Sequence, residues 1–234
     1  MLAAGPLRAA EPWFVAFETG GASDPSVPFA ARAETTAVFV SELGPSVLET
    51  VGVDPAAFDA EIVPGGYEAK VNPSVLLTLD GSEEQAKRVA AAFGHVFEQS
   101  SVLIWREAPA GSPGGSLVAA VSLPSVTPNL AEHFFRVAGA IERGLSGGFT
   151  ARGNQLLFIN LRGADGKPFS GLGDEAFVAA LERAASVFGG IASVSTSRAT
   201  AILVERADYA ALNGPAAATL ERLRARRMEI GGRR

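Results

Sequence analysis

Residues 65–81 read GGYEAKVNPSVLLTLDG, and residues 147–163 read GGFTARGNQLLFINLRG. Laid over each other at an offset of 82 residues, the two stretches agree at six of seventeen positions. These are the paired leading glycines, Ala69/Ala151, Asn72/Asn154, Leu79/Leu161 and Gly81/Gly163, while Tyr67/Phe149 and Lys70/Arg152 exchange like for like. Self-similarity at a fixed spacing is the mark of a repeated unit. The chain therefore reads as a duplication.

The flanks extend the match. Downstream of the first stretch, Ser82 and Gln85 have the spacing of a capping box, in which each side chain bonds the other's orphan backbone N–H. Ala86, Val89, Ala90, Phe93 and Phe97 follow on a helical face. Downstream of the second, Asp174 is placed to cap a helix carrying Phe177, Leu181, Ala184 and Phe188. Each helix is expected to end at Phe-Gly (Phe93-Gly94, Phe188-Gly189) or a turn beyond. Apolar runs come next, Ser101–Trp105 and Thr200–Val204, and read as strands. Upstream, Trp13–Phe17 and Leu117–Val121 read as strands. The helix over 29–51 and the one opened by Thr127-Pro128 follow them, with Leu130, Phe134, Val137, Ile141 and Leu145 as the second helix's buried stripe.

Each copy thus has the order β-α-β-β-α-β of a ferredoxin-like unit. The predicted fold is α+β, with two antiparallel sheets covered by helices. Repeat one spans 12–107, repeat two 115–206, and a C-terminal helix with a basic tail occupies 209–234. Turn formers at 108–115 are the linker. Asn213-Gly-Pro215 starts the last helix, whose Arg222, Arg224, Arg226 and Arg227 read as a solvated helix end, with an anion-seeking tail as the alternative.

Composition bounds the function. Nearly half of the 234 residues are apolar and the net charge is −5, which fits a packed core and removes the basic excess that nucleic-acid binding needs. The chain has no cysteine, so disulfides, thiolate metal sites and cysteine nucleophiles are excluded. No apolar run reaches the ~20 residues of a membrane span. The expected location is cytoplasmic; residues 1–10 read as a leader, with export as the alternative if a signal precedes the start.

Motifs for chemistry are sparse. His95 and His133 lack metal-spaced partners. No Gly-x-Ser-x-Gly elbow is present. Ser170-Gly-Leu-Gly-Asp174 could offer N–H groups to an anion, but the Asp174 carboxylate competes for the same place. Leu157–Leu161 imitates an RNA-binding strand without its partner motif. Glu61, Glu68 and Asp80 gather near the first hairpin, and the second copy does not reproduce Glu68 or Asp80. The repeated pairs Lys70/Asn72 and Arg152/Asn154 stand out: a cation and an amide two apart share a strand face. They are the candidate ligand-binding residues, for a small anion, although turn chemistry explains the asparagines equally well.

Tandem ferredoxin-like units also occur in haem proteins of the chlorite dismutase type, which this chain resembles in architecture alone. The resemblance implies an iron held by a helix histidine, whereas a flank histidine packed on its neighbours is the plainer reading. The functional expectation is a non-enzymatic binding or interaction module without a cofactor, its partner an unknown protein, a small anion or a second copy in a homodimer. The alternative is an enzyme, cofactor-independent or haem-dependent, working in an apolar pocket between the sheets with a carboxylate or histidine shifted by burial.

Overall fold

The computed structural model describes residues 11–19, 26–66, 71–108, 115–141, 149–206, 209 and 214–232. In chain order these form β1 (Trp13–Glu18), α1 (Phe29–Thr50), a 3-10 turn (Pro55–Ala57), β2 (Phe58–Gly65), β3 (Asn72–Leu79), α2 (Glu83–Val96) and β4 (Ser101–Glu107). The second half follows with β5 (Ser116–Ser122), α3 (Pro128–Ile141), β6 (Phe149–Arg152), β7 (Gln155–Asn160), α4 (Asp174–Ser186), β8 (Ser193–Glu205) and then α5 (Pro215–Gly232). Residues 1–10, Lys70, Leu145, most of the linker, Asn213 and the last two arginines lie outside the described residues.

The eight strands form one antiparallel sheet in the order β2-β3-β1-β4-β8-β5-β7-β6. This corrects the expectation of two sheets. A four-stranded unit ordered β2-β3-β1-β4 leaves β2 and β4 as open edges, and open edges seek partners. Here β4 zips onto β8 from Ser101↔Glu205 to Glu107↔Ala199. The outermost strands β2 and β6 also meet, through the bridge Gly66↔Phe149 and its two hydrogen bonds of 3.2 and 3.3 Å. The sheet is therefore nearly closed on itself.

Alternation along each strand separates two faces. Trp13, Val15, Phe17, Val75, Leu77, Leu79, Val102 and Ile104 face α1, α2 and α5 in one apolar cluster. Phe17, Phe93 and Phe97 stack there at 4.8–6.0 Å between ring centres. In the second half Phe158 faces α3, within 5.9 Å of Phe134 and 5.2 Å of Phe135. The inner face carries Phe14, stacked on Trp105 at 5.2 Å, with Ala16, Leu76 and Leu103, and these join the second half's cluster.

The same alternation corrects the residue-by-residue alignment. Trp13 pairs with Leu79 and Leu117 with Asn160, and all four point toward the helices. Those strands therefore correspond at an odd offset, such as 160 − 79 = 81, and not at 82. A one-residue slip carries a side chain to the opposite face, so Asn72 and Asn154, matched by sequence, do not occupy equivalent places. The identities that suggested 82 are glycines, turn formers and apolar residues that either face accepts.

Two further local differences have physical causes. The capping box at Ser82/Gln85 forms as expected, at 2.9 and 3.2 Å. Asp174 does not cap α4: Gly173 holds the cap position without a side-chain bond. The aspartate instead accepts from Arg162 (2.7 Å), Arg198 (2.6 Å) and Asn160 (3.0 Å), and charge-assisted bonds outcompete a backbone N–H. Burial opposes ionisation of Asp174, but these partners outweigh it and hold the carboxyl below its usual range.

As expected, α2 ends within a turn of Phe93-Gly94, running through to Val96. Gly94 is bare because a Cβ there would stand 2.1 Å from the Tyr209 hydroxyl oxygen. The basic C-terminal helix is likewise built into the fold. Leu220 is fully buried, Arg227 nearly so, and both Arg224 and Arg227 bind Glu98 just past the end of α2.

Candidate functional site

The sequence-derived ligand residues scatter. Lys70 lies outside the described residues. Asn72 opens β3, donates to Glu18 Oε2 at 3.0 Å and accepts from Arg32 Nη1 at 2.8 Å. Arg152 ends β6, lies 5.0 Å from the centre of the Phe14 ring and pairs with Glu107 at 2.7 Å. Asn154 sits in the two-residue β6–β7 turn behind Gly153, whose φ of 57° needs no Cβ, and its backbone carbonyl accepts from Leu123 N–H. Asn72 and Arg152 are each engaged by an internal carboxylate. Asn154 is explained by the turn alone. Among the described residues no hydrogen bond or ion pair joins Asn72 to Arg152.

The histidines are peripheral. His95 Nε2 lies 2.9 Å from Glu221 on α5. His133 stands exposed on α3 with its ring edge-on to Phe188 at 5.4 Å. It faces away from the inner face, so it offers nothing to an iron held between the sheet's two halves. Among the described residues no cluster of histidine and carboxylate could hold a metal, and no helix is long and apolar enough to cross a membrane.

On the inner face, a cavity of about 10 Å³ is lined by Ala16, Phe17, Glu18, Gly66, Ser74, Leu103 and Phe149. That is room for about one water molecule. Glu18 is its one ionisable wall residue. Burial pushes the Glu18 carboxyl up, and the Asn72 hydrogen bond and the Arg32 charge offset only part of that. Backbone and side chains crowd this seam: a Cβ on Gly65 would meet Ser74 Oγ at 2.6 Å.

A more open feature is β8. It is 13 residues long, and its two halves pair on opposite sides. Ser193–Ala199 pair with β5, Ala199–Glu205 with β4, and Ala199 is shared. Among the described residues the β4 side of Ser193–Ser197 has no partner strand. The Arg198 carbonyl accepts from Ala108 N–H at 2.8 Å, so Arg198 points its backbone groups toward β4. In an antiparallel strand these groups alternate in direction. The N–H and C=O of Val194 and Thr196 therefore point the same way, past the end of β4, while those of Ser195 and Ser197 bond β5. The sequence marks this strand only over Thr200–Val204, and the serine-rich run 193–197 extends it at its start. Its serines alternate with Val194 and Thr196 as a strand requires.

The surroundings of this edge are exposed. Ser193 and Ser195–Ser197 are open to solvent, and Val187 and Ile191, in the turn that enters β8, are 63% and 53% exposed. Natural edges are usually blunted by charge, proline or a bulge. Residues 193–197 carry none of these.

Compared with known proteins, the chain matches no family, no curated protein and no solved structure.

Proposed function

We propose that the chain is a non-enzymatic protein-interaction module, built from two ferredoxin-like repeats, that binds an extended strand along the open edge of β8. Both halves follow the element order β-α-β-β-α-β, and strand order runs outward from the β4–β8 seam in the same way in each. The observation that carries the function is the backbone of Val194 and Thr196, without a partner strand among the described residues, beside exposed Val187 and Ile191. Main-chain bonds give such a site its affinity, and side-chain positions beside it give selectivity. Thr196→Pro tests the reading. Its N–H points away from β5, so proline removes a donor from the edge without removing a ladder bond. Random extended peptides displayed on phage and selected on the wild-type chain are expected to lose binding to Thr196→Pro. Selected peptides that bind both proteins equally would sink the proposal.

The enzyme reading keeps one supporting observation, the half-buried Glu18 at the wall of the small cavity, whose carboxyl burial pushes up. A small molecule retained in native mass spectra of the wild type, and absent from Glu18→Gln, would favour it.

A further inference from the structure

We infer that the strand bound at this edge is β8 of a second copy of the chain, paired antiparallel about a twofold axis through Ser195. The inference rests on the strand-addition reading above and names its partner. The outward groups fix the register. At this edge, among the described residues, only Val194 and Thr196 have both N–H and C=O open, because the Arg198 carbonyl is already taken by Ala108. Hydrogen-bonded antiparallel pairs join residues whose groups face each other. Setting Val194 opposite Thr196 of the second copy, and the reverse, satisfies all of these groups with four hydrogen bonds.

That register is self-complementary, as a twofold interface must be. Ser195 then meets its own symmetry mate as a non-hydrogen-bonded pair, where Cα atoms come within about 4.5 Å and a small side chain fits. Ser193 falls opposite Ser197. No charged residue faces another within the paired segment, so the like-charge penalty across strands does not arise. Ala108 bounds the pairing at one end. At the other, positive-φ Gly189 and Gly190 (63° and 88°) turn the chain away before β8 begins. The exposed Val187 and Ile191 lie in that turn, where docking of a second sheet edge would cover them.

The chain contains no cysteine, so single cysteines report the register directly. Ser195→Cys places two thiols across the axis, within the Cα range a disulfide spans. Ser193→Cys and Ser197→Cys each put their own mates about 13 Å apart along the strand. Under mild oxidation Ser195→Cys should form covalent dimer at least ~10-fold faster than either control, because only its geometry suits the bond. Sedimentation equilibrium should show wild type as a dimer and Thr196→Pro as a monomer with unchanged circular dichroism. Equal crosslinking of all three cysteines, or a wild-type monomer at the highest attainable concentration, would overturn the inference. A wild-type monomer that still selects peptides sensitive to Thr196→Pro would refute self-pairing and leave the interaction module standing. A monomer that selects none would refute both.

Discussion

The two halves of the sheet share an order of elements but differ in how their outer strands are covered. In the first half α1, α2 and α5 seal β1, β3 and β4, and Tyr209 is packed against bare Gly94. Among the described residues the second half has α3 and α4 and no counterpart of α5. Its last strand, β8, is exposed along most of its first half. The difference teaches that two halves with one order of elements need not have the same surroundings. The extra helix finishes one half, and the edge left on the other is where an added strand would complete the second.

The comparison can be broken most forcefully in the cores. Phe93→Ala in the first half and Phe134→Ala in the second should each cost about 3–5 kcal/mol, since both rings are fully buried. Because one sheet runs through both halves, each variant should shift a single urea transition without splitting it. Two separate transitions would mean that the β4–β8 seam does not couple the halves.

Next in size is Gly94→Ala, which forces a Cβ onto Tyr209 and should cost about 1–3 kcal/mol by overpacking. In a Tyr209→Ala background the same change should be nearly neutral. Equal costs in the two backgrounds would show that the close contact does not hold α5's approach. Arg227→Ala should cost about 2 kcal/mol, because Glu98 and the Phe97 carbonyl each lose a donor beside a nearly buried stem. Thermal melts read this directly.

The smallest effect is a pH dependence of opposite sign at two carboxylates. At Glu98 the hydrogen bond from Arg224, against some opposing burial, holds the carboxyl below its ordinary value of 4.5. Its contribution is present above 4.5 and is lost as pH falls through the lower folded value. Glu18 is raised from the same value, so its unfolded form ionises first and stability falls as pH rises above 4.5. Glu18→Gln should therefore match wild type in acid and exceed it at neutral pH. Denaturant midpoints measured from pH 3 to 7 check both signs.

Much of the fold was legible because periodicity marks amphipathic elements well. The capping box at Ser82, Pro128 at the first helical position and the strands Trp13–Phe17 and Leu117–Val121 all form where the pattern places them. What failed was nonlocal. Nothing in either apolar run announces that β4 and β8 join, since any open edge can pair. The 82-residue alignment matched residue types that both sheet faces tolerate, and so missed the slip that separates Asn72 from Asn154. Asp174 looked like a cap because Arg162 and Arg198, its actual partners, are distant in sequence. The first half of β8 lies outside the apolar run Thr200–Val204 that marks the strand, and Glu18 lies next to no motif at all.

Amide hydrogen exchange along β8, in protein diluted until sedimentation shows only monomer, tests the open edge most directly. Val194 and Thr196 should exchange fast while Ser195 and Ser197, bonded to β5, exchange slowly. Slow exchange at all four residues would mean that the edge is already covered, and would contradict the account.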